Sequence, residues 1–198
     1  MSRAILKHMR YFISLLILSL LVSCQEESAS TSSKSAKVAQ PQKPKTAYTD
    51  VLQHRLLTLS KGSLVTLTGF EEPTKYYLFY KTASWCPPCR KFTPFLVNFY
   101  NEYKMKYGNQ FEIILLTGDQ SYDDMERYAN GKQMGWPHLA PEFVTEFNTL
   151  FRFPGTGIPN LILTDIQGKV LKTSYGPAGQ YYGPAAPMQE LQRLLDNQ

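Results

Sequence analysis

The chain has 198 residues, of which 43% are hydrophobic and 13% aromatic, and it carries 21 lysines and arginines against 16 aspartates and glutamates. This composition suits one globular domain with attached segments, and it excludes a disordered or fibrous protein. The lysines after residue 60 are scattered among acidic and apolar residues, whereas nucleic-acid binding requires a basic stripe with interleaved aromatics. We therefore expect no nucleic acid among the partners.

The first 23 residues have the pattern of a secretion signal. Three basic residues precede an apolar run over 11–22. The run is shorter than the ~20 residues that a helix needs to cross a membrane, so a permanent anchor helix is disfavoured. It ends at Leu21-Val22-Ser23-Cys24, which resembles the lipobox of bacterial lipoproteins. The resemblance implies a signal peptide at 1–23 and a diacylglycerol on the sulfur of Cys24.

Residues 25–46 are rich in Ser, Lys, Gln and Pro and have almost no apolar surface to bury. Such a segment cannot offset the entropy lost on ordering, so we expect a disordered tether. The predicted organisation is a signal peptide at 1–23, a lipidated cysteine with its tether at 24–46, and one domain at 47–198. Two or three acyl chains anchor a protein stably. We therefore expect an exported, membrane-anchored lipoprotein that faces the periplasm or the cell exterior.

Helices and strands are predicted to alternate in the first half of the domain. A helix capped near Thr49 and ended by Lys61-Gly62 is expected first, followed by a short strand at 63–68. The continuous aromatic and apolar run at 76–80 predicts a strand covered on both faces. Apolar residues from Phe92 onward are spaced 3, 1, 3, 1, 3. This spacing predicts one face of a helix, which the glycine at position 108 ends.

The second half of the domain continues this alternation and then adds a hairpin. In chain order we expect a strand at 111–116, a polar helix at 119–132, a loop at 136–141, a helix at 142–153, a hairpin of strands 161–164 and 170–173, and a helix at 188–196. This order predicts an α/β fold with parallel pairing first and antiparallel pairing last.

The sequence Cys86-Pro87-Pro88-Cys89 has the residues needed for thiol-disulfide exchange. Exchange requires a thiolate that attacks and a second thiol that resolves the mixed disulfide. Pro87 suits the first position of a helix. Cys86 would then lie exposed at the positive end of the helix dipole, where its pKa can fall below the free value of about 8.5. We predict Cys86 as the attacking nucleophile and Cys89, one turn inside and less accessible, as the resolving thiol.

A metal site is the main alternative for the cysteine pair. A tetrahedral zinc would need two further ligands, and His54 and His138 do not form a paired motif. A copper carrier needs fewer soft ligands, so this alternative stays open. A purely structural disulfide is disfavoured because closing so short a loop gains little entropy.

The stretch Trp85 to Arg90, with Ile158-Pro159 before a late strand, resembles the thioredoxin superfamily. The stretch 83–94 and the Trp136-Pro137 loop resemble its tryparedoxin and nucleoredoxin branch, and membrane-tethered TlpA-like thioredoxins are the neighbouring branch. The resemblance covers roughly residues 64–195. It implies a thioredoxin fold, in which a central mixed sheet has parallel first strands, a C-terminal antiparallel hairpin, and helices on both faces.

The resemblance also implies roles for individual residues. Substrate binding is expected at Trp85, Pro87, Pro88, Ile158 and Pro159, with a cis bond before the last that places the backbone of Ile158 beside the nucleophile. The implied activity is a thiol-disulfide oxidoreductase without an organic cofactor, whose partners are client proteins with disulfides and an external electron donor. Ile158 resembles the residue of reducing members, which favours a reductase. A disulfide oxidase or isomerase, a metallochaperone and a simple binding module are the alternatives.

One position departs from the commonest pattern. Many thioredoxins have a buried aspartate six residues before the nucleophile, where this chain has Tyr80. The proton acceptor for the resolving thiol therefore stays open among Glu72, Glu112 and water. Trp136 is expected either in the substrate groove or in loop packing. His138 is expected as a solvated loop residue, with proton shuttling as the alternative.

Overall fold

The computed structural model describes residues 45–197. The predicted signal peptide, the lipidated Cys24 and nearly all of the predicted tether lie outside these residues. Within 45–197, no helix is long and apolar enough to cross a membrane. The strands are β1 (Leu56–Ser60), β2 (Ser63–Thr66), β3 (Tyr76–Thr82), β4 (Phe111–Thr117), β5 (His138–Leu139), β6 (Asn160–Asp165) and β7 (Val170–Thr173). The helices are α1 (Thr49–Leu52), α2 (Pro87–Tyr107), α3 (Tyr122–Lys132), α4 (Pro141–Phe151) and α5 (Ala185–Asp196), with a short 3₁₀ helix at Gly108–Gln110.

The strands form one mixed sheet in the order β2-β1-β5-β4-β3-β6-β7. At its centre β3 pairs in parallel with β4 over seven residues and antiparallel with β6. Antiparallel hairpins β1–β2 and β6–β7 close the two sides. The carboxyl ends of β3 and β4 and the amino end of β6 therefore meet at one edge of the sheet. The predicted mixed sheet with its C-terminal hairpin is confirmed.

Apolar side chains on the two faces of the sheet build two cores. Successive residues of a strand point to opposite faces. Along β3, Leu78 and Tyr80 pack with side chains of α2, α3 and α5. Tyr77 and Phe79 pack with side chains of α4 and the N-terminal segment. Helices therefore cover both faces, as expected from the sequence.

Tyr48 docks the start of the described chain against the sheet. Its side chain is fully buried, and its ring packs edge-on against Tyr77 and Phe79. Its hydroxyl donates to Thr164 Oγ1 at 2.9 Å. Burial raises the pKa of Tyr48 to about 12, so the hydroxyl keeps its proton and the hydrogen bond at neutral pH.

Residues 56–60 form β1 and not the second half of the predicted helix. The observed helix α1 has only one turn, and β1 pairs antiparallel with β2 and β5. Lys61 and Gly62 both have positive φ, as in a two-residue hairpin turn. Leu56 is buried in the core on the α4 face, and Leu57 packs against the opposite core. Consecutive leucines on opposite faces fit a strand, and their partner β5 is about 80 residues away in sequence.

Trp136 and His138 are both fully buried. The Trp136 ring packs edge-on against Tyr80 and Tyr100, so the substrate-groove role that the sequence left open is wrong. The expectation that His138 is a solvated loop residue is also wrong. It belongs to β5, a two-residue strand inserted between β1 and β4, and this insertion encloses its ring.

His138 makes the stability of the fold depend on pH. Burial lowers its pKa from the ordinary 6.5 to about 4, and neither ring nitrogen has a hydrogen-bond partner among the described residues. Between these two pH values the unfolded chain binds a proton that the folded chain does not, so the free energy of unfolding falls as the pH drops. We expect His138→Leu to remove this contribution, at most about 1.4 kcal/mol per pH unit, in urea unfolding between pH 7 and 4.5.

His54→Asn is the matched control for this experiment. His54 is exposed and has a positive φ, which asparagine tolerates. This variant should keep the pH dependence of the wild-type protein. Identical slopes for the wild type and His138→Leu would contradict the assignment.

Candidate active site

Cys86 and Cys89 lie where β3 ends and α2 begins. Cys86 is the N-cap of α2, and Pro87 and Pro88 occupy its first positions, where the missing N–H groups have no intrahelical partner to lose. The Cys89 N–H donates to Cys86 Sγ at 3.2 Å. The two sulfurs are bonded to each other as a disulfide. The predicted place of the pair, at the amino end of a helix, is therefore observed.

Cys86 is 3% exposed and Cys89 is fully buried. The prediction that Cys86 is exposed is therefore wrong, although Cys89 is the less accessible of the two, as expected. The pair forms a small apolar cluster with Ala83, and Ile158 packs against this cluster. The carbonyl oxygen of Ile158 is 3.8 Å from Cys86 Sγ. The main chain of Ile158 thus borders the sulfur, as the resemblance implied.

The other predicted site residues lie around this pair. Trp85 is 65% exposed, and its indole N–H donates to the Gly118 carbonyl at 3.3 Å. Pro87 and Pro88 are exposed, whereas Pro159 is buried. The bond before Pro159 is cis, as predicted. The structure therefore brings together every residue that the sequence assigned to catalysis or substrate binding in the domain.

Two tyrosines hold the loop that precedes β6, and the sequence analysis missed both. The Tyr175 ring lies so close to Gly155 that a Cβ on the glycine would come within 2.1 Å of it. The Gly157 N–H donates to the Tyr175 hydroxyl at 3.0 Å. The Tyr181 hydroxyl donates to the carbonyl of Pro159 at 2.8 Å. The glycines permit this close packing, but their partners come from beyond β7 and no local pattern identifies them.

Asp119 fixes the cysteine loop from the end of β4. Its buried carboxylate accepts hydrogen bonds from the Ser84 N–H at 2.9 Å and from the Ser84 hydroxyl at 2.8 Å. It also accepts from the Thr117 hydroxyl at 3.2 Å. The sequence placed Asp119 in a polar helix, but α3 begins only at Tyr122. Asp119 is therefore a positioning residue that the sequence analysis did not identify.

A cluster of hydroxyl groups lies beside Cys89 and includes the position where Tyr80 replaces the common aspartate. The Thr93 hydroxyl donates to the Cys89 carbonyl at 2.8 Å. It is 2.8 Å from the Tyr80 hydroxyl and 2.6 Å from the Tyr128 hydroxyl. Because the Thr93 hydroxyl has a single proton, both tyrosines donate to it. Burial raises the pKa of Tyr80, so this group is a neutral hydroxyl at physiological pH.

Glu72 and Glu112, two candidates for the proton acceptor, lie at the opposite end of the sheet. The Glu72 carboxylate accepts from the hydroxyl of Thr49, and the Glu112 carboxylate pairs with Lys104 at 2.8 Å. Glu112 is at the start of β4, about 16 Å from the end that approaches the cysteines. Neither carboxylate can take a proton directly from Cys89. Of the three candidates, water alone is compatible with the geometry.

The described residues contain no group of three or more His, Cys, Asp or Glu side chains that could hold a metal ion. Cys86 and Cys89 could supply two ligands of a tetrahedral site. Their sulfurs are bonded to each other in this structure. A metal bound here would need its remaining ligands from outside the described residues.

Residues 74–170 match a protein-family model described as thioredoxin-like. The chain is 36% identical to the probable nucleoredoxin 1 of Arabidopsis thaliana over 110 residues, which are 54% of this chain and 18% of that protein. It is 40% identical to the tryparedoxin of Trypanosoma brucei brucei over 70 residues, 35% of this chain and 46% of that protein. The chain thus spans less than a quarter of the length of the first nucleoredoxins that it matches.

Solved structures agree with these sequence matches. A thioredoxin from Wuchereria bancrofti superposes with a TM-score of 0.52 and 28% identity, covering 74% of this chain and 98% of that one. Tryparedoxin I from Leishmania major superposes with a TM-score of 0.50 and 25% identity, covering 75% and 92% of the two chains. The chain therefore has the thioredoxin fold, and residues 74–170 are similar to the thioredoxin-like family, with nucleoredoxins and tryparedoxins among the chain's homologues.

Proposed function

We propose that the protein is a thiol-disulfide oxidoreductase that reduces disulfides of client proteins. The observation that carries the proposal is the redox pair itself. Cys86 and Cys89 are joined as a disulfide at the amino end of α2, and the Ile158 carbonyl lies 3.8 Å from the Cys86 sulfur. An extended client segment that pairs with the main chain of Ile158 would bring its own disulfide to that sulfur.

The proposed reaction moves two electrons and, because Cys86 starts as a thiolate, one net proton to the client. In the reduced protein, the Cys86 thiolate attacks one client sulfur, and the client S–S bond breaks as the other sulfur leaves and takes a proton. Cys89 then loses its proton and attacks the Cys86 sulfur, which releases the first client sulfur as a thiolate. Each turnover leaves the Cys86–Cys89 disulfide, so an external dithiol donor must reduce the pair again.

The helix amino end supports Cys86 as the nucleophile. The Cys89 N–H already points at the Cys86 sulfur, and together with the helix dipole it stabilises a negative charge there. Cys89 lacks such a position because it lies inside the first turn and is fully buried. Water is the proposed acceptor of its proton, and the neutral cluster around Thr93 holds the first turn of α2 against the sheet.

We further propose that the protein is exported and anchored to a membrane through lipid on Cys24. The proposal rests on the basic and apolar segment before Leu21-Val22-Ser23-Cys24 and on the polar composition of 25–46. Such an anchor would hold the cysteine pair near a membrane surface, and it would draw clients and the electron donor from the same compartment.

The two cysteines should respond differently to substitution. Cys86→Ser removes the nucleophile and should abolish reduction of a protein disulfide such as that of insulin. Cys89→Ser leaves the nucleophile but no resolving thiol, so it should accumulate a mixed disulfide with the client. Non-reducing electrophoresis and mass spectrometry would detect this adduct.

A matched double variant with both serines controls for nonspecific adducts and should trap nothing. Equal residual activity of the two single variants would overturn the assigned roles. Equilibration of the wild type with dithiothreitol and glutathione buffers then tests the direction. A potential near about −270 mV supports a reductase, whereas one near about −120 mV would make the protein an oxidase.

The cluster around Thr93 should be sensitive to loss of one hydroxyl. Thr93→Val removes the shared acceptor of the buried Tyr80 and Tyr128 hydroxyls and leaves Tyr128 only a 3.4 Å contact with the Thr82 hydroxyl, which should lower the free energy of unfolding by about 1–3 kcal/mol. Thr93→Ser should restore most of this loss. Thr149→Val is the matched control, because Thr149 makes the same hydroxyl-to-carbonyl bond on an exposed part of α4. Equal costs for the two valine variants in urea unfolding would refute the assigned role.

Lipid attachment can be tested in bacterial cells that process lipoproteins. The wild-type chain should incorporate labelled palmitate and fractionate with membranes, because acylation supplies the anchor. Cys24→Ser should lose both properties and keep the activity of the domain. Palmitate labelling that persists in Cys24→Ser would contradict the proposal.

A further inference from the structure

A cavity of about 420 Å³ lies beside the cysteine site on the α4 face of the sheet. Ile158 and Gly118 line it on the side nearest the cysteines, and Phe153 and Val144 supply apolar wall. Gly118 also accepts the hydrogen bond of the Trp85 indole. The cavity is therefore continuous with the surface on which a client disulfide would lie.

Lys81 is the cation of this cavity. It lies near the end of β3 and is half-buried among the lining residues. Within residues 45–197, its side chain has no hydrogen bond and no ion pair. Burial lowers the pKa of Lys81, and no nearby carboxylate counteracts this effect. A half-buried ammonium without a counterion gains from a bound anion more than an exposed lysine does.

Asn148 adds a second unmatched polar group to the same cavity. It lies on α4 and lines the wall together with Lys81. Its side-chain oxygen is buried and has no partner among the described residues, although buried polar atoms nearly always have one. A ligand that carries both a carboxylate and an N–H group would satisfy both residues. A peptide with an acidic side chain has this combination.

We propose that this cavity, which we call the Lys81 pocket, binds an acidic side chain of the client next to its disulfide cysteine. The inference rests on the proposed function, because Ile158 is both a wall of the pocket and the neighbour of the Cys86 sulfur. An extended chain advances about 3.3 Å per residue. A glutamate one or two positions from the client cysteine would therefore lie about 3–7 Å along the chain from it, where Ile158 joins the Lys81 pocket to the Cys86 sulfur.

The test uses two disulfide-bonded peptides that differ only by Glu or Gln beside the cysteine. Wild-type protein should reduce the Glu peptide with a kcat/KM about tenfold above that of the Gln peptide, as one charged hydrogen bond allows. Lys81→Met should bring the ratio close to one, and Lys81→Arg should keep most of it. Lys91→Met is the matched control, because Lys91 is an exposed lysine on α2, and it should keep the wild-type ratio.

If Lys81→Met folds poorly, Asn148→Asp serves as a second variant that tests the same pocket. Its carboxylate would occupy the pocket beside Lys81 and should lower the Glu-to-Gln ratio while leaving the lysine in place. A wild-type ratio of one would overturn the inference, and so would an equal fall of the ratio in Lys91→Met and Lys81→Met. Bis(2-hydroxyethyl) disulfide, which has no charge, is the control that distinguishes failure of this inference from failure of the proposed function. If the protein exchanges with this reagent but the ratio is one, only the inference is wrong. If it does not exchange with this reagent, the proposed oxidoreductase function is wrong.

Discussion

The parallel pairing of β3 with β4 is the interaction on which the candidate site depends. It runs in register from Tyr76 and Phe111 to Thr82 and Thr117, and the Gly118 N–H extends it by donating to the Thr82 carbonyl at 2.7 Å. Both strands therefore end at the same edge. β3 continues into the loop that leads to Cys86, and β4 continues to Asp119, whose carboxylate binds Ser84 of that loop. The antiparallel β6 brings the Ile158 carbonyl to the same edge. A shift of one residue in any of these pairings would therefore move the cysteine loop, Asp119 and the Ile158 carbonyl apart.

The hydroxyl cluster beside Cys89 has an uncharged tyrosine where many thioredoxins have a carboxylate, and this difference affects how readily a thiolate forms. A buried carboxylate beside a thiol opposes formation of the thiolate, because two negative charges repel in a poorly solvated place. This chain has the Tyr80 hydroxyl at that position, and burial, which raises the pKa of Tyr80, keeps it uncharged. The cluster therefore contributes hydrogen bonds and packing without a charge of its own. The charges beside the cysteine loop are then the partial positive charge at the amino end of α2 and the Asp119 carboxylate, which binds Ser84.

The sequence predicts those features that short stretches determine. The start of α2 follows from the cysteine and proline pattern, and the hairpin of β6 and β7 follows from its turn residues, including Gly168 with positive φ. Leu56 to Leu59 also fit a helix locally, and pairing with β2 and with the distant β5 makes them a strand. His138 is enclosed for the same reason. The errors thus concentrate where contacts distant in sequence decide between two locally acceptable structures.

The surroundings of Lys81 also depend on contacts that are distant in sequence, so the sequence does not identify it as a candidate binding residue. In the sequence it is one lysine after an aromatic run, and nothing nearby distinguishes it from a solvated strand end. The structure places it in one cavity with Asn148 of α4 and the loop from Phe153 to Ile158, and no local pattern in the sequence joins these three segments. Cys86 itself is almost fully covered, so a client chain that brings a disulfide to its sulfur also lies along the Ile158 main chain, which borders that sulfur. Under the proposed function, selection among clients would then depend on what the surrounding pocket can bind as well as on the reactivity of the thiol.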